Sequence, residues 1–87
     1  MARFSVFPED AGFNNLQLLQ YAVGTDPIAY CDGRRIPNWH TAEEGDDGFV
    51  LYWVNDGAGG SVCDEHGHPQ DFVVRGRVKV AAVEVVH

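Results

Sequence analysis

Positive charge is scarce in this chain: six Lys and Arg residues stand against thirteen Asp and Glu, a formal net charge of -7. A field of that sign repels nucleic acid backbones and anionic bilayers and attracts basic protein surfaces, which argues against duplex nucleic acid as a partner. Cysteine is scarce as well, and Cys31 and Cys63 are too few to frame a disulfide-stapled domain. No segment approaches the roughly 18 apolar residues of a membrane span, and Met1-Ala-Arg3 leads straight into an alternating stretch without an apolar leader. These absences predict a cytoplasmic protein with reduced thiols and no membrane association. Internal repeats, low-complexity tracts and linkers are also missing, as is any strand-helix-strand alternation that would make a sheet parallel.

What is present is ordinary globular material. The 87 residues are 45% hydrophobic and 22% charged, which excludes a disordered chain, a coiled coil and a collagen-like repeat. The length allows a single small domain, residues 1–87, that buries about 63% of its unfolded surface.

Ala2 to Phe7 alternates and stops at Pro8, which reads as a short strand. Asn14 followed by Gln17 forms a weak capping box, and Leu16, Leu19 and Val23 recur at helical spacing, so one helix is expected from Asn14 or Asn15 to Val23. Ile28–Cys31 and Arg34–Ile36 flank Asp32-Gly33, a pair that favours a two-residue hairpin turn. Glu43 to Gly48 carries four carboxylates and two glycines and reads as a solvated loop. Phe49 to Val54 is apolar on both faces, as a central strand with a helix over one side would be. Asp71 to His87 is the longest strand-like run, with Val74, Gly76, Val78 and Val80 on one face and Arg75, Arg77 and Lys79 on the other. Its phase slips at Ala81-Ala82, which implies a bulge. The expected class is α+β: one short helix packed on an antiparallel sheet of about five strands, with curling into a small barrel left open.

Several side chains invite chemistry. Cys31, His40, Cys63, His66 and His68 are zinc-ligand types, and Cys63-x-x-His66 has a metal-site spacing. A structural zinc site normally shows two such pairs, so a polar turn and two small apolar thiols is the better reading, with no metal and no cofactor expected. Neither thiol sits in a nucleophile signature, and there is no Gly-x-Ser-x-Gly and no glycine-rich phosphate loop ahead of a helix. An enzyme is not expected. The acidic run Glu43, Glu44, Asp46 and Asp47, with Trp39 nearby in sequence, could dock on a basic partner protein, since clustered charge speeds encounter and Trp anchors interfaces. Alternatively Arg34, Arg35, Arg75, Arg77 and Lys79 could gather around an anionic, nucleotide-like ligand or a single strand, with Tyr30 available for stacking. Against this stands the ordinary expectation that those cations pair across strands with carboxylates.

The order of pieces resembles small accessory proteins of tailed bacteriophages. The resemblance rests on residues 28–80: the hairpin Ile28 to Asn38, the acidic Thr41 to Gly45 step, the Phe49 to Val54 strand, the Asp64-Glu-x-Gly-x-Pro69 turn and the closing Val74 to Val80 stripe. It implies a host-directed binder acting in the host cytoplasm, such as an inhibitor of a host defence protein, that occupies a surface or sequesters a ligand rather than catalysing; the acidic run read above is the expected docking surface. Two alternatives stand beside it: a small homo-oligomeric module that sequesters an anionic ligand, and a minor virion or assembly component.

Overall fold

A computed structural model describes residues 2–23 and 27–81 of the chain. In chain order the elements are β1 (Arg3–Ser5), α1 (Phe13–Val23), β2 (Ile28–Cys31), β3 (Arg34–Ile36), β4 (Trp39–Glu43), β5 (Gly45–Tyr52) and β6 (Phe72–Ala81). All six strands join one antiparallel sheet in the order β1-β4-β5-β6-β2-β3. The α+β expectation holds with one strand more than expected, and the sheet is open, with β1 and β3 as its edges.

The period-two pattern of the last segment positions the core. Val78 and Val80 are buried and Val74 is half-buried, while Arg75, Arg77 and Lys79 are exposed. Directly opposed residues share a sheet face, so the register carries the inner face across the sheet. Val50 lies opposite Val74, Cys31 opposite Val78, Ala29 opposite Val80, and Phe4 opposite Ala42. These side chains and Leu16 of α1 make up the core. Ala81 is the last described residue, so the phase slip expected at Ala81-Ala82 lies outside the described residues.

The Asp32-Gly33 turn forms as expected, both residues taking positive φ (51° and 81°) between β2 and β3. Asp32 also ties this hairpin to β6. Its amide donates to the Arg77 carbonyl at 2.8 Å, and its Oδ1 accepts the Arg77 amide at 2.9 Å.

Three expectations need correction. The helix begins at Phe13 because its start is organised upstream of Asn14: Asp10 Oδ1 accepts the Gly12 amide at 2.8 Å, and the Gly12 carbonyl accepts the first helical bond, from Leu16, at 3.1 Å. Asn15 Nδ2 donates to the Arg3 carbonyl at 3.0 Å and the Ser5 amide donates to the Gly12 carbonyl at 3.2 Å, so the helix start closes the outer edge of β1. The helix therefore packs on β1 rather than across β5, sending Leu16 into the core with Leu19 at its margin.

The strand not foreseen is β4, which Pro37-Asn38 and the polar His40 and Thr41 disguise. His40, Thr41 and Ala42 are all buried, which strict alternation forbids. The ladder explains it: Trp39 pairs with Tyr52 but Thr41 with Leu51, so His40 is the extra residue of a bulge.

The acidic run is not a free loop either. β4 ends at Glu43 and β5 begins at Gly45, and a second bulge between Gly45 and Gly48 leaves Asp46 and Asp47 exposed. Glu44 turns inward, its Oε2 accepting the Val80 amide at 2.9 Å. The reversal is this tight only because Gly48 lacks a side chain: a Cβ there would overlap the Glu43 carbonyl and meet Val78 Cβ at 3.0 Å. Gly48→Ala is therefore expected to destabilise the fold by about 1–3 kcal/mol through overpacking. Urea unfolding checks this, and an unchanged midpoint would contradict the packing described.

Candidate ligand face

The outer face of the sheet divides into two regions, and β6 runs through both. At one end lies a small polar-aromatic cluster. His40, 2% exposed, engages Thr41 Oγ1 through Nδ1 at 2.9 Å and Asp71 Oδ1 through Nε2 at 2.8 Å. The same Asp71 oxygen accepts the Trp53 indole N–H at 3.1 Å. Thr41 Oγ1 also bonds to Ser5 Oγ at 3.0 Å, and the Ser5 hydroxyl oxygen accepts the Phe7 amide at 3.2 Å. Phe7 and Trp53 flank the imidazole, with ring centroids 4.9 and 4.5 Å from it. The order carboxylate, imidazole, hydroxyl invites a catalytic reading, but Ser5 and Thr41 are sealed from solvent and present no nucleophile to a substrate. The cluster is a fastener instead. It joins β1, the β4 bulge and both ends of the excursion from Trp53 to Asp71, which pairs with itself through isolated bridges at Asn55–Ser61 and Cys63–Pro69. Sequence reading missed Phe7, Trp53 and Asp71 as partners of His40, because 31 residues separate His40 from Asp71 and no local spacing links them.

At the other end lies the positive charge. Arg75, Arg77 and Lys79 alternate along β6 on the outer face, so their side chains rise about 6.6 Å apart. Tyr30 of β2 lies directly opposite Lys79, and Arg35 of β3 lies opposite Tyr30, which makes a row of cation, ring and cation across three strands. Phe49 lies opposite Arg75, whose guanidinium stands 5.9 Å from the ring centroid, and Arg3 approaches the same ring at 5.5 Å. Arg34 does not join this group. It faces Cys31 and Val78 across the ladder and so belongs to the opposite, inner side, where a cavity forms with Ile36, Tyr52 and Val74 among its walls.

Cross-strand pairing with carboxylates accounts for little of this charge. Arg77 Nε lies 3.4 Å from Asp46 Oδ1, with both side chains largely in water, where such a pair contributes little. Among the described residues, no carboxylate lies within ion-pair distance of Arg34, Arg75 or Lys79. Arg3 is different. Its Nε and Nη2 each donate to Asp10 at 2.8 Å, a two-pronged pair beside the helix start. Those bonds from Arg3, then the one from the Gly12 amide, hold the Asp10 carboxyl down to about 2.

The five residues expected to make an acidic docking surface are spread apart. Trp39 pairs with Tyr52 at the end of the β4–β5 hairpin opposite the acidic reversal, and its indole N–H donates to the Pro27 carbonyl at 3.2 Å. Glu43 is half-buried opposite Phe49 and next to Arg3 on the sheet, and Glu44 is fixed to β6, which leaves Asp46 and Asp47 as the outward carboxylates. The zinc-type ligands are spread as well. Cys31 lies in the core, where burial and then the nearby Asp32 charge push its thiol up and keep it protonated. Cys63, His66 and His68 are exposed on the excursion, and His40 sits in the fastener. Among the described residues no three His, Cys, Asp or Glu side chains come together as a metal-holding group.

Two stability predictions follow from these pairs. Removing the Asp71 carboxylate with Asp71→Ala takes the acceptor from the buried His40 Nε2, an expected loss of about 1–2 kcal/mol in urea unfolding accompanied by a shift in Trp53 emission. For Asp10, the folded value of about 2 lies below its ordinary 3.8, so its contribution is fully present above the higher value and is lost as pH falls toward the lower. The stability gap between the natural chain and Asp10→Asn should thus hold steady above about pH 5 and close between about pH 4 and pH 2. A gap that stayed constant through that window would show that the Arg3–Asp10 pair does not act as described.

Comparison with family models, with curated proteins and with solved structures finds no match for this chain, so the resemblance over residues 28–80 rests on the residues alone.

Proposed function

We propose that this chain is a non-enzymatic binding module whose outer β6 face takes an anionic, nucleotide-like ligand. The observation that carries the reading is the row Arg75, Arg77 and Lys79: like charges on one face of one strand repel, and a chain with thirteen carboxylates leaves Arg75 and Lys79 without an acidic partner among the described residues. Salt limits the reach of the net negative field to about 8 Å, so an anion arriving at this face responds mainly to the cations beneath it. Tyr30 opposite Lys79 adds a ring. In the host-directed setting that the phage resemblance implies, such a module sequesters a ligand rather than converting it.

Docking on a basic host protein through the acidic surface is the second reading, and the exposure of Asp46 and Asp47 at the β5 bulge favours it. That surface is narrower than the sequence implied, since Trp39, Glu43 and Glu44 are engaged elsewhere.

Charge reversal separates the two. A ligand that binds the folded state raises the melting temperature, so a panel of nucleotides and short oligonucleotides should, for at least one member, raise it for the natural chain and not for Arg75→Glu/Lys79→Glu. Asp46→Lys/Asp47→Lys, which extends the cation row, should strengthen the nucleotide response. If no member of the panel moves the melting temperature, while capture of a basic protein is lost in Asp46→Lys/Asp47→Lys, the acidic reading replaces the proposed one.

A further inference from the structure

The same face has a shape that narrows its ligand, and this inference rests on the anion-binding reading above. A single phosphate is best held by donors that converge on it. Here the donors run side by side: Arg75, Arg77 and Lys79 alternate along one strand, covering about 13 Å from first to last. The cavity nearest to Arg77 is lined by Asp32 and Asp46 as well as Gly33 and Gly76, and two carboxylates at its wall oppose a lone phosphate there. Of the two rings on the face, Phe49 already lies within reach of the Arg3 and Arg75 guanidinium groups. Tyr30 lies directly opposite Lys79, the juxtaposition of stacking ring and backbone-binding cation that single-strand binders use.

We infer that the outer β6 face binds an extended single-stranded nucleic acid, its phosphates reaching Arg75 and Lys79 on either side of the Arg77–Asp46 pair and a base stacking on Tyr30. Cations spread along the strand match a polyanion better than a mononucleotide. The ring favours a base-bearing strand over an acidic peptide. The exposed Asp46 and Asp47 disfavour a duplex, whose second strand would bring further phosphates against those carboxylates.

The test is fluorescence anisotropy of a labelled short oligothymidylate with the full chain, with heparin, ATP and a duplex of equal length as competitors. About two neutralised phosphates give a salt slope near -1.4, so affinity should fall roughly sevenfold between about 50 and about 200 mM salt. Arg75→Glu/Lys79→Glu should abolish binding. Tyr30→Leu should weaken it roughly tenfold while leaving the competition by heparin unchanged, because only a base uses the ring. The duplex and ATP should compete poorly. If ATP competes as well as the oligonucleotide, or if Tyr30→Leu binds normally, the single-strand assignment is overturned while the anion-binding face stands. If neither the oligonucleotide nor heparin nor ATP binds at low salt, both readings fall together.

Discussion

The period-two geometry of β6 is the constraint on which the rest of the molecule depends. A strand must send alternate side chains to opposite faces, and β6 uses one parity for Val74, Val78 and Val80 and the other for Arg75, Arg77 and Lys79. The same ten residues thus close the core and display half of the basic residues in the chain. Because β6 pairs with β5 on one side and β2 on the other, a shift of its register by one residue would bury cations and expose valines across the sheet. The Asp32 clamp on Arg77, the Glu44 bond to the Val80 amide and the tight approach at Gly48 all act on this strand and hold its register.

Around that strand the two outer regions have different tasks. The fastener of His40, Asp71, Trp53 and Phe7 stabilises the end of the sheet where the 53–71 excursion leaves and returns, and its hydroxyls are shut away from reactants. The cation row at the other end stabilises nothing visible within the described residues beyond the contacts of Arg75 with Phe49 and of Arg77 with Asp46. Charge that is neither buried nor firmly paired within the fold is free to meet a partner. That difference places the candidate site on β6 and not at the imidazole.

Much of the architecture was legible in the sequence wherever one rule acted alone. Alternation located β6 and its two faces, Asp-Gly located the β2–β3 turn, and helical spacing located α1 to within one or two residues. The failures lie where two rules compete. β4 was hidden because the bulge at His40 breaks the alternation: His40 and Thr41 are buried beneath Phe7 and Trp53 on the outer face and Ala42 in the core on the inner one, so three consecutive residues are buried. Four carboxylates in the acidic run demand water and so resemble a loop, yet a bulge meets that demand by turning Asp46 and Asp47 outward while the ladder continues. For the candidate site, the membership of Arg75, Arg77 and Lys79 on one face was readable from spacing. The placing of Tyr30 and Arg35 beside Lys79, and of Arg34 on the opposite side, required the register between β2 and β6 that only long-range pairing sets.

Binding of an anion on the outer β6 face, as proposed above, is checked by a map of backbone amide shifts from nuclear magnetic resonance. On titration with oligothymidylate at low salt, the account predicts saturable shifts concentrated at Tyr30, Arg35 and residues 75–79, with the core amides of Ala42 and Val50 unmoved. Shifts centred on the 53–71 excursion or on the groove between α1 and β3 would place the interaction elsewhere and contradict it, as would a spectrum that does not change.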